Sequence, residues 1–334
     1  MKPWMRYALG AAIAFGTVAV LLQLSGVAPL DGFRILWSGS LGDELNRDFT
    51  LQRLTPLLLA GLAVGVALLV GLFNIGAEGQ LLVGAAAGAY VGFKFNLPAP
   101  WHLIASLAAG SAAGAIWALA PALLKVWRGA HEVITTIMFN YIAIYLTHWL
   151  VADVWRSPDT GAPQTPDVKP TAELGAFPGL AETSWGLGIA LLAAIALYFL
   201  LFRTVWGYEA RAVGANREAA EAAGAPYAKR VIAAMLISGG LAGLGGAIEV
   251  VGHYRYFFEG FSGGVGFDSI AAALLGAGHP LLIVASSTVF AALQQGAYFL
   301  QVERGADEKM AIIVQGVLIL YVATLRVKWG KRGD

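Results

Sequence analysis

The side chains with most chemical potential stand where apolar sequence is interrupted. Between the apolar runs Leu54–Leu72 and Leu81–Phe95 lies Phe73-Asn74-Ile75-Gly76-Ala77-Glu78-Gly79-Gln80. If those flanks sit in hydrocarbon, Asn74, Glu78 and Gln80 must find water or protein partners. A second interruption is Asn140, within Thr135-Thr136-Ile137-Met138-Phe139-Asn140-Tyr141-Ile142. A carboxamide both donates and accepts hydrogen bonds, so Asn74, Gln80 and Asn140 are candidates to line a pathway. Phe73, Phe139 and Tyr141 are the aromatic neighbours. Successive helical residues point about 100° apart, so Phe139, Asn140 and Tyr141 cannot all face one lumen equally. The competing role for Asn140 is a hydrogen bond between helices. Glu249, Asp268, Gln294, Gln295 and Gln315 complete the polar groups in apolar surroundings.

No catalytic constellation competes with these. The chain has no cysteine, which excludes disulfides, thiol chemistry and iron–sulfur ligation. Its five histidines, His102, His131, His148, His253 and His279, form no metal-binding pair. Ser111 and His148 lack the surroundings of a nucleophile and base, and a small serine between helices is ordinary packing. Gly330-Lys331 is followed by Arg332 and lacks the upstream spacing of a phosphate-binding loop. The net charge of +1 and the lack of like-charged blocks argue against a nucleic-acid partner.

The elements positioning these residues belong in a membrane. Of 334 residues, 58% are hydrophobic and only 13% charged, about half the charge of a soluble domain. The runs are long and do not alternate, so the expected fold is all-α and polytopic, with about ten transmembrane helices. They are placed at about 7–24, 54–73, 79–97, 101–124, 133–151, 187–203, 230–252, 265–279, 281–300 and 310–325. The first run lacks a clear small-x-small cleavage site and is read as a retained span. Lys and Arg concentrate in alternate loops, which places both termini in the cytoplasm. The chain reads as one transmembrane domain, 1–334. Half one covers about 1–152, a proline-rich external loop 153–186, and half two about 187–325.

Small residues four apart, at Gly84/Gly88/Gly92, Gly110/Gly114 and Gly239/Gly243, suit close helix packing. The cytoplasmic loop 207–229 should hold a short helix, capped by Asn216 and stopped by Gly224 and Pro226. The stretch 71–85 echoes 266–277, which marks matching positions in the two halves. The charge pattern puts the 73–80 break near the cytoplasmic ends of its helices. Glu78 there is expected to be solvated or to cap the N-terminus of the next helix.

Three segments together resemble a known family. Phe73-Asn74-Ile75-Gly76-Ala77-Glu78-Gly79-Gln80 with Gly84-Ala85 resembles the hallmark of ABC-importer permeases for branched-chain amino acids, simple sugars and nucleosides. His131-Glu132-Val133-Ile134-Thr135-Thr136-Ile137-Met138-Phe139-Asn140-Tyr141-Ile142-Ala143 looks like a segment of its guanosine/uridine-type branch. The stretch from Gly207 to Gly224 is similar to the family's cytoplasmic loop.

The resemblance implies a permease subunit in the inner (plasma) membrane, forming the translocation path for nucleosides and itself no enzyme. ATP and magnesium would sit on a partner ATPase, and the chain would hold no cofactor. A second permease chain, expected to be a paralogue, and an extracytoplasmic substrate-binding protein or lipoprotein would complete the system. Arg211, Gly214, Asn216, Glu218, Ala219, Ala220 and Gly224 would form the ATPase-coupling segment. Neutral carboxamides and aromatics suit a base and ribose, and they suit a simple sugar equally. An ion-coupled carrier using Glu78, Asp268 or Glu249 is the alternative of a different class.

Overall fold

The computed structural model describes residues 3–158 and 160–305, together with 313, 316 and 317. Apart from those last three positions, the expected span at 310–325 and the basic tail lie outside the described residues. Among the described residues the regular elements are helical, with only two isolated β-bridges. The helices are α1 Pro3–Leu24, α2 Pro29–Trp37, α3 Glu44–Leu69, α4 Ala77–Lys94, α5 Trp101–Arg128 and α6 Glu132–Trp149. They continue with α7 Gly186–Arg203, α8 Val205–Ala215, α9 Arg217–Ala222, α10 Tyr227–Glu249, α11 Val265–Leu275 and α12 Pro280–Arg304. Among the described residues six helices are long and apolar enough to cross a membrane, or seven if a pair bent by 111° near the N-terminus counts as one span. The chain is therefore an all-helical, multi-pass membrane protein.

Two compact units are present. One comprises 1–53 and 288–334, the other 54–287, so the boundaries fall inside α3 and α12 rather than in the loop 153–186. In the first unit Leu22, Ile35 and Leu300 are buried together. Gly32 leaves room for Leu22, and Gly39 for Phe299. The Arg53 Nε donates to Gln295 Oε1 at 2.8 Å, and its guanidinium lies 5.3 Å from the centre of the Tyr298 ring. That pairing keeps an arginine tolerable among apolar neighbours.

In the second unit α4, α5 and α10 meet along glycines. A Cβ on Gly84 would run into the backbone of Gly243, one on Gly114 into Gly239, and one on Gly110 into Ala247 and Gly84. A Cβ on Gly246 would meet the Leu81 carbonyl. The expected small-residue spacing thus marks real backbone contact. Without side chains between them the helices gain dispersion along their whole length, the main source of cohesion where lipid competes for apolar surface.

Four expected boundaries shift. α3 starts at Glu44 rather than near 54, because Asn46, Arg47, Asp48 and Arg53 hid nearly three helical turns from a hydropathy reading. The Asp43 carboxylate accepts the Asn46 N–H at 2.7 Å there. α2 and the π-turn Ser38–Gly42 were not anticipated, since α2 is short and begins at Pro29. The loop 207–229 contains α8 as well as the expected helix. The expected eighth span shrinks to α11, 11 residues and about 16 Å, roughly half a hydrocarbon core. Gly263 and Gly264, both at positive φ, precede it, and Gly278 at φ 69° closes the turn into α12.

The segment 153–186 is irregular but pinned. Thr165 N–H bonds the Phe257 carbonyl at 2.9 Å and Leu174 N–H the Val251 carbonyl at 2.8 Å. The fully buried His102 lies 3.0 Å from the Val91 carbonyl through Nε2 and 2.7 Å from the Thr171 hydroxyl through Nδ1. A carbonyl only accepts, so Nε2 donates to Val91.

The glycine contact makes a graded expectation. Gly243→Val should destabilise the protein by about 3 kcal/mol or more, because backbone cannot yield as a side chain can. Gly240→Ala should be nearly neutral, since its new Cβ would lie 3.3 Å from the Ser111 hydroxyl and meet no backbone closer than 3.7 Å. Thermal unfolding in detergent, followed by size-exclusion chromatography, separates the two; equal melting points would refute the packing argument.

Candidate functional site

The chain between α3 and α4 leaves helical geometry. Gly71 at φ 80° turns it after Leu69, and helix resumes at Ala77. Such a restart leaves the first N–H groups of α4 without intrahelical acceptors. Water normally serves them, but Asn74, Ala77, Glu78, Gly79 and Gln80 are buried. Side chains take water's place. Asn74 Oδ1 accepts from the Gly76 N–H at 2.9 Å. Asn140 Oδ1, reaching from α6, accepts from the Gly79 N–H at 2.9 Å. The Asn140 amide donates to the Ile75 carbonyl, also at 2.9 Å, so one carboxamide clamps both sides of the break.

Asn74 and Gln80 form a reciprocal amide pair, at 3.0 and 3.2 Å. The second Asn74 hydrogen goes to the Ser238 hydroxyl of α10 at 2.8 Å, and Ser238 donates to the Ala63 carbonyl of α3 at 2.6 Å. Four helices therefore share one hydrogen-bonded network. Gly76 and Gly79 make room for it: a Cβ on either would come within 2.9 Å of an asparagine oxygen.

Glu78 corrects an expectation. It is 3% exposed, so it is not solvated, and it caps α11 rather than the helix that follows the break. Its carboxylate accepts from the Gly266 N–H at 2.8 Å, in the first turn of α11, and from the Ser262 hydroxyl. A negative group at a helix N-terminus meets both unpaired N–H groups and the positive end of the helix dipole. Position 78 shows its acidity in sequence, but its partners Ser262 and Gly266 are almost two hundred residues away and carry no signal pointing back. The two segments that echo one another in sequence, near 78 and 266, meet directly.

The remaining sequence candidates fall into distinct settings. Asn74, Gln80 and Asn140 come together, each buried and hydrogen-bonded. Phe73 is half-buried. Phe139 is half-buried against Trp117, with ring centres 5.6 Å apart, and its carbonyl accepts from the Trp117 indole N–H. Tyr141 is 55% exposed. Ser238, which sequence reasoning passed over, anchors Asn74; a hydroxyl inside the glycine-rich, apolar α10 was the available signal.

The cytoplasmic segment connects to this break. Asn216 Oδ1 accepts from the Ala219 N–H at 3.0 Å and caps α9 as its sequence promised. Gly224 at φ 91° ends that helix. Glu218 and Ala219 are exposed and Ala220 is buried. Arg211 stacks 4.5 Å over Phe202, and Arg230 pairs with Glu209, with Nε at 2.6 Å. Gly214, at the end of α8, packs on Leu69 and Gly71, so closely that a Cβ would meet the Leu69 carbonyl. α8 thus rests on the residues that immediately precede the break.

Comparisons with known proteins show what the chain resembles. The family described as branched-chain amino acid transport system / permease component matches residues 46–323. The guanosine ABC transporter permease protein NupP of Bacillus subtilis is 38% identical over 309 residues, covering 92% of this chain and 89% of that protein. The glucose ABC transporter permease protein TsgB13 of Haloferax volcanii is 34% identical, over 94% of this chain and 85% of that protein. The nucleoside ABC transporter permease protein NupB of Lactococcus lactis is 31% identical, over 93% and 89%. No solved structure gives a significant match.

Replacing Asn140 tests the clamp. Asn140→Leu leaves the Gly79 N–H and the Ile75 carbonyl unpaired in an apolar interior, an expected cost of about 2–5 kcal/mol. Thr136→Val on the same helix removes a hydroxyl bonded only within α6 and should cost much less, about 1 kcal/mol. Hydrogen exchange at the Gly79 amide provides the local readout: it should accelerate in Asn140→Leu and stay protected in Thr136→Val.

Proposed function

Because the chain belongs to the permease-component family of branched-chain amino acid transport systems, we propose that it is the membrane subunit of an ATP-driven importer of nucleosides. The observation that carries the transport reading is the contact of Gly214 with Leu69 and Gly71. It puts the exposed α9 one packed helix away from a break in the membrane helices. A partner ATPase that grips α9, holding ATP and magnesium, could then move the break through α8. Stiffness is built in, since Asn216 caps α9 and Arg217 both pairs with Glu221 at 3.3 Å and stacks on Tyr227 at 3.8 Å. Arg211, Gly214, Asn216, Glu218, Ala219, Ala220 and Gly224 are the coupling segment in this reading.

In the same reading Asn74, Gln80 and Asn140 shape the pathway by fixing its backbone, and the half-buried Phe73 and Phe139 belong to it. Tyr141 is free to meet solute. The second permease is a paralogue of this chain, and a substrate-binding protein or lipoprotein docks on the pinned segment 153–186. The subunit sits in the inner (plasma) membrane with ten membrane segments and both termini in the cytoplasm, α11 crossing only part way. Trp101 and Trp127 support that placement: they are exposed at opposite ends of α5, about 39 Å apart, the separation of two headgroup layers. Lys125 and Arg128 mark the cytoplasmic end.

Nucleosides rest on the similarity to NupP and NupB, and a simple sugar is the second reading, favoured by the similarity to TsgB13. Uptake by the assembled importer in proteoliposomes decides between them. Excess guanosine should abolish uptake of labelled nucleoside, and glucose should not; competition by glucose alone would overturn the substrate.

Ala220→Pro tests coupling. It removes the N–H that bonds the Asn216 carbonyl at 3.0 Å in α9. A proline there costs ~3 kcal/mol of helix, so ATP-dependent uptake should fall about tenfold or more while α10 stays folded. Unchanged uptake at equal expression would show that α9 does not carry the stroke.

A further inference from the structure

We propose that the exposed face of α6 carrying Tyr141 and Tyr145 lines the solute pathway, where the two rings offer successive stacking surfaces to a flat, uncharged heterocycle. The choice of heterocycle rests on the nucleoside reading, but the placement of the face does not.

The first observation is depth. With its terminal π-turn, α6 continues to Val154 as one candidate span, Glu132–Val154. Tyr141 and Tyr145 lie about 14 and 20 Å from Glu132 along an axis of about 34 Å. Both therefore sit within about 3 Å of the middle of the span, the depth farthest from either headgroup layer. Four residues apart, they occupy one face, with Cβ atoms about 6 Å from each other.

The second observation is what surrounds them. Tyr141 is 55% and Tyr145 69% exposed. Among the described residues neither phenol has a hydrogen-bond partner, and neither ring has an aromatic neighbour. Tyrosine suits the edge of a membrane, where its ring is in apolar surroundings and its hydroxyl in water. At the middle of a span its side chain cannot reach the headgroups, so a lipid-facing phenol would be stranded. The exposed large side chains of α7, Leu191, Leu192, Ile195 and Phe199, carry no polar atom, as a lipid-facing surface requires.

The third observation is the back of the helix. Thr136, Asn140, Ala143 and Thr147 are buried, and Asn140 is clamped to Gly79 and Ile75. The tyrosine face is therefore the outer surface of the helix that holds the break. A shift of the break moves these two rings directly. A face that sets two phenols beside Met138 and Ile142, and is tied to the moving part, meets the needs of a passing solute with a flat ring and polar edges. Stacking asks nothing of a base's hydrogen-bonding pattern, and the phenols can bond to ring nitrogens or ribose hydroxyls.

The absence of cysteine makes the test direct. Tyr141→Cys, Tyr145→Cys and Leu192→Cys each give the permease a single thiol, in the complete importer with its ATPase in proteoliposomes. A water-soluble, charged thiosulfonate reacts only with thiols that reach water. Positions 141 and 145 should label at least about tenfold faster than 192, because a thiol in lipid stays protonated and inaccessible. Guanosine should slow labelling at 141 and 145, and glucose should not. Labelling no faster than at 192 overturns the pathway face. Fast labelling slowed by glucose but not guanosine keeps the face and overturns the heterocycle. A second pair of variants guards against disturbed packing. Tyr145→Phe keeps the ring and should leave the KM for guanosine within about twofold, while Tyr145→Leu should raise it about fivefold or more. An unchanged KM in Tyr145→Leu would overturn the stacking role.

Discussion

A helix that begins inside an apolar interior has N–H groups that water cannot reach, and much of this structure follows from how they are met. Gly79, near the start of α4, is served by Asn140 of α6. Gly266, near the start of α11, is served by Glu78 of α4. Each cap comes from a different helix, so the restart of one helix depends on the position of another. The dependence runs from α6 through α4 to α11. Ordinary capping is local and leaves helices independent; this arrangement makes three of them one unit. Loss of any link exposes a donor whose desolvation is uncompensated, which is costlier than the bond itself is worth.

The glycine contacts make such capping geometrically possible. A side-chain oxygen reaches across to a backbone N–H only when the helices are close. Gly79 brings α4 against Asn140 and Ala143, and Gly266 brings α11 against the backbone of Glu78. The same device recurs at Gly214, where α8 meets Leu69 and Gly71 without an intervening side chain. Contacts of backbone on backbone have little compliance, since no rotamer can change to absorb a displacement. In the proposed coupling a push on α8 would be passed on to the turn at Gly71, beyond which lies the hydrogen-bonded polar network. Rigid elements joined at a turn are the usual means by which a small motion at one end becomes a useful motion at the other.

Much of this could be read from the sequence, and the rest could not for definite reasons. Composition and long apolar runs revealed a helical membrane protein, and Asn216 with Gly224 revealed α9, because both signals are local. The small-residue spacing at Gly84, Gly110, Gly114, Gly239 and Gly243 pointed to close packing, but not to which helices meet; α4, α5 and α10 emerge only in three dimensions. The start of α3 was missed because charged residues in helix and in loop look alike to a hydropathy reading. The break at 73–80 was visible as an oddity, and Asn74, Gln80 and Asn140, expected to line a pathway, are bonded within the protein. Their hydrogen-bond partners are backbone groups and a lone serine, which leave no pattern in sequence. The same polar residue types would serve a solute or a backbone, and only their burial separates the two uses.

That separation bears on how a transport path should be built. The groups with the strongest and most directional bonding, the carboxamides of Asn74, Gln80 and Asn140 and the carboxylate of Glu78, are engaged with the protein itself. Had they faced the lumen, a solute matching all of them would be held too firmly to leave. A path has to bind enough to admit and weakly enough to release. In the proposed importer, selection belongs largely to the protein that delivers the solute, and the membrane subunit gains nothing from a second tight site. Exposed aromatic rings such as those proposed at Tyr141 and Tyr145 give broad, shallow attraction that tolerates sliding. The rigid network behind α6 then has one purpose in common with the soft surface in front of it: the wall moves as a body while the solute remains free to move along it.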